Sequence, residues 1–197
     1  NSASLFWVGD GAANAWDINT TVNWTGATDG NNRYFDGDIV TIDDSGNNAT
    51  PISLGVTVRP ASLTVNNSAK DFTISGAGVI TGNTGLTKNG SGKLTLSTTN
   101  SFTGPAAINA GTVSVATLAN GGANSGLGAG TPITLGDTSN QGTLEYTGAT
   151  TSTNRPITTG DGGGRISVTN NAAVVTMTGG IAGTGAFTKG GSGALTG

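Results

Sequence analysis

The sequence predicts an all-β protein wound as a parallel β-helix, or β-solenoid. Three observations point there. Apolar residues recur in short clusters rich in Val, Ile, Leu and Thr, which suit pleated, half-buried strands. The clusters are bounded by Gly, Asn, Asp and Ser, and 35 of the 197 residues are Gly; these residues turn corners at little steric cost. Finally, Thr87-Lys88-Asn89-Gly90-Ser91-Gly92-Lys93-Leu94-Thr95 recurs as Thr188-Lys189-Gly190-Gly191-Ser192-Gly193-Ala194-Leu195-Thr196, 101 residues further on (87 to 188). A solenoid needs such likeness, because each coil presents similar side chains to the next. Strand spacing of roughly 8–12 residues also suits a sandwich or a barrel. The repeat favours the β-helix and leaves a sandwich as the alternative.

Taken in order, residues 1–50 differ from the rest. They hold Trp7, Trp16, Trp24, the Tyr34-Phe35 pair and an acidic stretch from Asp36 to Asp44. After Pro51 there is no Trp, and the aromatics thin out to Phe72, Phe102, Tyr146 and Phe187. Residues 1–50 therefore read as an N-terminal aromatic-rich and acidic cap, and residues 51–197 as a repetitive body. The body predicts strands at 52–58, 62–65, 71–75, 93–97, 112–115, 132–135, 142–146, 165–168 and 173–177. The polar start at Asn1 reads as a mature end left by cleavage. Because Gly197 falls inside the second copy of the repeated segment, stacked subunits or a continuing chain are expected beyond it.

Composition excludes several classes of chemistry. With no His and no Cys there is no ordinary zinc site, haem, iron–sulfur cluster, thiol nucleophile or His-based triad. Eight Lys+Arg against eleven Asp+Glu give no basic footprint for nucleic acid. No apolar run approaches the ~18 residues of a membrane-spanning helix. The single Glu, Glu145, leaves little material for helix surfaces.

What chemistry remains is carboxylate chemistry. Asp36 and Asp38 would lie roughly 7 Å apart on one strand face if extended, a conceivable acid pair for glycoside hydrolysis. The plainer reading is two solvated turns, at Asp36-Gly37-Asp38 and at Asp43-Asp44-Ser45-Gly46. The same oxygens could hold calcium, but neither an EF-hand loop nor tandem calcium repeats are present, so no metal, cofactor or catalytic residue is assigned. Trp7, Trp16, Trp24 and Tyr34 are the candidate contacts for glycan or for a second subunit. The competing role is to cover the open end of the solenoid core.

One stretch resembles a known repeat. Leu86-Thr87-Lys88-Asn89-Gly90-Ser91-Gly92-Lys93-Leu94-Thr95-Leu96, then Asn100-Ser101-Phe102-Thr103-Gly104 and Ile108-Asn109-Ala110-Gly111-Thr112-Val113, is similar to the autotransporter-associated β-strand repeat, also called the passenger-associated transport repeat. Val113 stands where the family usually has Leu, and Pro105 lies in the turn. Asn124-Ser125-Gly126-Leu127-Gly128 and the Trp-rich N-terminal segment resemble family flanks. The resemblance implies a right-handed β-helix outside a Gram-negative-type bacterium. The expected function is an extracellular, non-enzymatic structural module of an autotransporter-like surface protein, self-associating head to tail or by edge pairing into fibres. The alternatives are an adhesin that binds glycan or host surface, and a polysaccharide-active β-helix enzyme. Neither nucleic acid nor membrane insertion by this segment is expected.

Overall fold

Short strands and tight corners account for nearly all of the chain in a computed structural model, which describes residues 2–197. Asn1, where the sequence places a mature end, lies outside the described residues. Twenty strands follow one another: β1 (Ser4–Trp7), β2 (Ala15–Trp16), β3 (Trp24–Thr25), β4 (Ile39–Asp43), β5 (Ile52–Leu54), β6 (Ser62–Asn66), β7 (Phe72–Ser75), β8 (Leu86–Asn89), β9 (Lys93–Leu96), β10 (Ala106–Ile108), β11 (Gly111–Val115), β12 (Ile133–Leu135), β13 (Gly142–Tyr146), β14 (Thr151–Thr153), β15 (Ile157–Thr159), β16 (Gly164–Val168), β17 (Val174–Met177), β18 (Ile181–Gly183), β19 (Phe187–Gly190) and β20 (Ala194–Thr196). Among the described residues there is no helix.

The strands stack into three sheets. Nine run in the order β18-β15-β12-β10-β8-β6-β4-β1-β3, eight in the order β19-β16-β13-β11-β9-β7-β5-β2, and three in the order β14-β17-β20. Pairing is parallel between coils, and only β1 with β3 is antiparallel among the named strands. The result is a β-solenoid of about 7 turns. Equivalent positions in successive coils lie 20 to 24 residues apart where the path is short. The 1–50 segment shares both large sheets with the body, because β4 pairs with β6 and β2 pairs with β5.

Alternation decides which side chains enter the narrow core. One inward column runs Val40, Leu63, Leu86, Ala106, Ile133 and Ile157. The column beside it runs Ile42, Val65, Lys88, Ile108 and Leu135, so a lysine stands in an aliphatic stack. On the second sheet Phe72, Leu94, Val113, Leu144 and Ile166 stack in the same way. Thr41, Thr64 and Thr87 form an outward row.

One expectation needs correction. The predicted strand at 52–58 is a strand only at Ile52–Leu54; Val58 makes a lone bridge to Ile80 beyond a corner. Alternation continues through that corner, which is why pattern alone could not see it. The two copies of the repeated segment also face different ways. The first forms β8 and β9, on the nine- and eight-stranded sheets; the second forms β19 and β20, on the eight- and three-stranded sheets. An offset of 101 residues is therefore not a whole number of coils.

Candidate functional site

The four aromatic side chains named from sequence come together at the N-terminal edge of the sheets, on β1, β2, β3 and the loop before β4. Trp7 meets Trp24 edge-on with centroids 5.0 Å apart, Trp16 meets Trp24 at 5.3 Å, and Tyr34 meets Trp16 at 5.5 Å. All four are buried, at 0% exposure for Trp7, Trp16 and Tyr34 and 2% for Trp24. Their faces are covered by one another within this chain. Trp7 Nε1 donates to the Asn47 carbonyl at 3.1 Å, whereas Trp16 Nε1 and Trp24 Nε1 have no hydrogen-bond partner. Burial, with the Asp36 charge beside it, pushes the Tyr34 hydroxyl well above the ordinary tyrosine range.

Beside this cluster lies a surface groove of about 460 Å³, lined by the start of the chain and by residues 27–38. Here the acidic stretch makes the turn of the plainer reading, but not a wholly solvated one. Asp36 and Gly37 make a turn rather than a strand. Asp38, expected in a solvated turn, is buried and accepts from the Ala3 N–H at 2.7 Å and the Phe35 N–H at 2.8 Å. Asp36 Oδ1 accepts from the Tyr34 hydroxyl and the Arg59 N–H. The pair thus ties three segments together through backbone donors. Asp44 does turn, and its carboxylate accepts from the N–H groups of Ser68, Ala69 and Lys70 in the next coil. Those bonds, led by Ser68 and Ala69, hold it below the ordinary carboxylate range. Among the described residues, no three His, Cys, Asp or Glu side chains gather as a cation site. Phe35 was legible only as half of an aromatic pair: alternation sends Tyr34 inward and leaves Phe35 39% exposed in the groove.

The middle of the chain carries a second set of buried polar groups. Lys88 is fully buried, and its Nζ donates to the carbonyls of Asn89 and Gly90, both at 2.7 Å, and of Ala110 at 3.5 Å. Burial pulls its ammonium down to about 8, against a partial lift from the charges of Asp71 and Asp44. Asn100 is also buried; its Oδ1 accepts from the Ile80 N–H of the preceding coil, and its Nδ2 donates to the Gly126 carbonyl of the following one. Phe102 fills the core behind it. Gly128, at φ +67°, packs on that ring so closely that a Cβ would sit 2.6 Å from Phe102 Cδ2, which explains the Leu127-Gly128 step. Arg155 is buried without a carboxylate; it donates to the carbonyls of Thr131 and Leu127 and so pins the long 116–131 connection to the stack. On the outer surface Glu145 accepts from Lys93 and Ser114; these bonds outweigh its partial burial and lower its pKa.

The residues from β8 through β11 thus form a unit. It crosses each large sheet twice, turns on Gly90, anchors on Asn100 and Phe102, and buries Lys88. Residues 86–115 match the family model of the passenger-associated-transport-repeat. This stretch is a passenger-associated transport repeat. One repeat therefore supplies two coil steps, and its signature residues are the ones that tie a coil to its neighbours. A similar curated protein is the adhesin BmaC autotransporter of Brucella suis biovar 1 (strain 1330), 37% identical over 134 residues, covering 68% of this chain. The chain spans 4% of the length of that relative. No solved structure matches the chain.

Proposed function

We propose that this chain is a stretch of an autotransporter passenger, exposed at the bacterial surface, and that it works as a non-enzymatic structural β-solenoid. The observation that carries this reading is that the passenger repeat at 86–115 is built into the stack as two consecutive coil steps. The mechanism is geometric. Coil is tied to coil by parallel ladders and by side chains such as Asp44, Asn100 and the Asn109–Asn89 pair at 2.8 Å. Each coil contacts mainly its neighbours, so length adds reach without a larger core. The engagement of Asp36 and Asp38 by backbone N–H groups supports a structural rather than a hydrolytic role for them. Antibody raised against the purified chain should label intact cells of the source bacterium, and external protease should remove the label. Labelling only after permeabilisation would sink this reading.

A second reading, a direct adhesive role, is favoured by the relative being an adhesin autotransporter. Self-association is a further part of the proposal. β18, β19 and β20 each have a neighbour on one side, and Met177, Ile181 and Leu195 line an apolar pocket of about 310 Å³ there. Open parallel edges pair with any strand of matching register, whether a further coil of the same polypeptide or a second chain. Sedimentation velocity should show concentration-dependent association of the purified chain, weakened by Ile181→Lys. A monomer at every concentration would end the self-association proposal.

A further inference from the structure

The groove at residues 27–38 has a content that its structural neighbours do not. Outward positions along the solenoid are mostly Thr, Ser and Asn, but here an exposed aromatic ring, a guanidinium and carboxylates converge on one concavity of about 460 Å³. Phe35 presents its ring at 39% exposure. Arg33 is steadied through Nε, which donates to the Thr20 carbonyl at 3.2 Å, and neither of its Nη atoms has a protein partner among the described residues. The sole ion pair among those residues is Lys93–Glu145, so Arg33 is not neutralised by the nearby Asp side chains. Asp36 is oriented through one oxygen by Tyr34 and Arg59, leaving its other oxygen free to accept. Asp29 is oriented in the same groove by Asn31.

We propose that this groove binds an uncharged hexose unit of a glycan, a site that rests on the adhesive reading above. The chemistry matches group by group. The apolar face of a pyranose ring packs on an exposed aromatic face. Vicinal hydroxyls both donate and accept, so they need planar donors and acceptors side by side, as Arg33 and Asp36 provide. Three Asp and one Arg line the groove, a balance that repels an acidic sugar. A bare cation is a poor alternative, since no three metal-ligating side chains gather here among the described residues.

The test is a glycan array of uncharged and acidic sugars probed with the purified chain, followed by titration of a binding hexoside monitored by backbone amide NMR. The expected result is binding of uncharged hexose glycans, with shifts at Ala3, Asn31 and Gly37. Phe35→Ala and Arg33→Ala should each weaken binding by about tenfold or more while the tryptophan fluorescence stays unchanged. Both residues are surface groups of the groove, so folding is separately checked by that fluorescence. Binding that both variants retain would overturn the groove and leave the adhesive reading standing. Preferred binding of acidic glycans would overturn the ligand class. Adherence to host cells with no glycan bound would also overturn the groove alone. Failure to bind glycans and cells alike would overturn both.

Discussion

Trp24→Ala is expected to destabilise the N-terminal end of the solenoid by about 4 kcal/mol, the scale for emptying a large aromatic site in a core. Trp24 touches Trp7, Trp16 and Tyr34, with centroid distances of 5.0, 5.3 and 6.0 Å, so its loss removes three aromatic contacts at once. β3, which carries Trp24, is the last strand of its sheet and is held through β1 alone, so losing the ring also loosens that strand. Trp24→Phe is expected to cost less than about 1.5 kcal/mol, since the indole N–H of Trp24 has no partner to lose and an unsatisfied buried donor is itself unfavourable. Trp7→Phe should cost about 1 kcal/mol more than Trp24→Phe, because it strips the Asn47 carbonyl of its donor. Urea unfolding separates the cases. All three Trp lie in this cluster, so fluorescence reports the N-terminal end while circular dichroism reports the whole stack. The Ala variant should show its fluorescence transition at lower urea than its dichroism transition. Coincident and unshifted transitions would mean that the rings do not close the core.

The burial of that cluster was only half legible. Sequence placed the aromatics together and offered two roles for them, but burial is a matter of which strand edges they meet, and β2 and β3 are two residues long. The body was more legible, because runs such as Gly142–Tyr146 combine strict alternation with flanking turn residues. Strands β14 and β15 escaped for a definite reason: their inward positions include Thr153 and Thr159. Both are buried, and both hydroxyls are satisfied by carbonyls, of Ala119 at 2.8 Å and Gly185 at 2.9 Å. A hydrophobic period cannot count a threonine that pairs its own hydroxyl. Strand β4 was hidden behind its acidic flanks, although Val40 and Ile42 alternate correctly. The groove was missed because it is made by a turn and by the first residues of the chain, which are joined only by the fold.

The recurrent Thr-Lys segment gives the sharpest test of how context sets the energetics of one motif. Lys88 and Lys189 occupy the same motif position, and each donates to the carbonyl two residues on, Gly90 at 2.7 Å and Gly191 at 2.6 Å. Both stand in inward columns, Lys88 between Val65 and Ile108 and Lys189 after Ile166. Lys88 is nevertheless fully buried while Lys189 is exposed, because β10 lies over the first and, among the described residues, no strand pairs beyond β19. Lys88→Met is therefore expected to cost about 2 kcal/mol at pH 7, since the Asn89 and Gly90 carbonyls lose a charged donor. Lys189→Met, where water can replace the ammonium, should cost less than about 0.5 kcal/mol. The stability contributed by Lys88 also depends on pH. The buried ammonium of Lys88 releases its proton at about 8, below the ordinary lysine value of 10.5. Below pH 8 both folded and unfolded chains hold that proton, and the full penalty of burying the charge applies. Between pH 8 and 10.5 the unfolded chain holds more protons than the folded one, so stability from this group rises with pH. The gain approaches about 3 kcal/mol across the window. Wild type should therefore pull away from Lys88→Met as pH rises from 8 toward 10. Comparing the chains at each pH cancels the opposing contribution of the tyrosines, whose burial raises them. A gap between wild type and Lys88→Met that stays flat over that window would show that Lys88 reaches water in the folded protein. The stack would then be open at the corner where the passenger repeat turns.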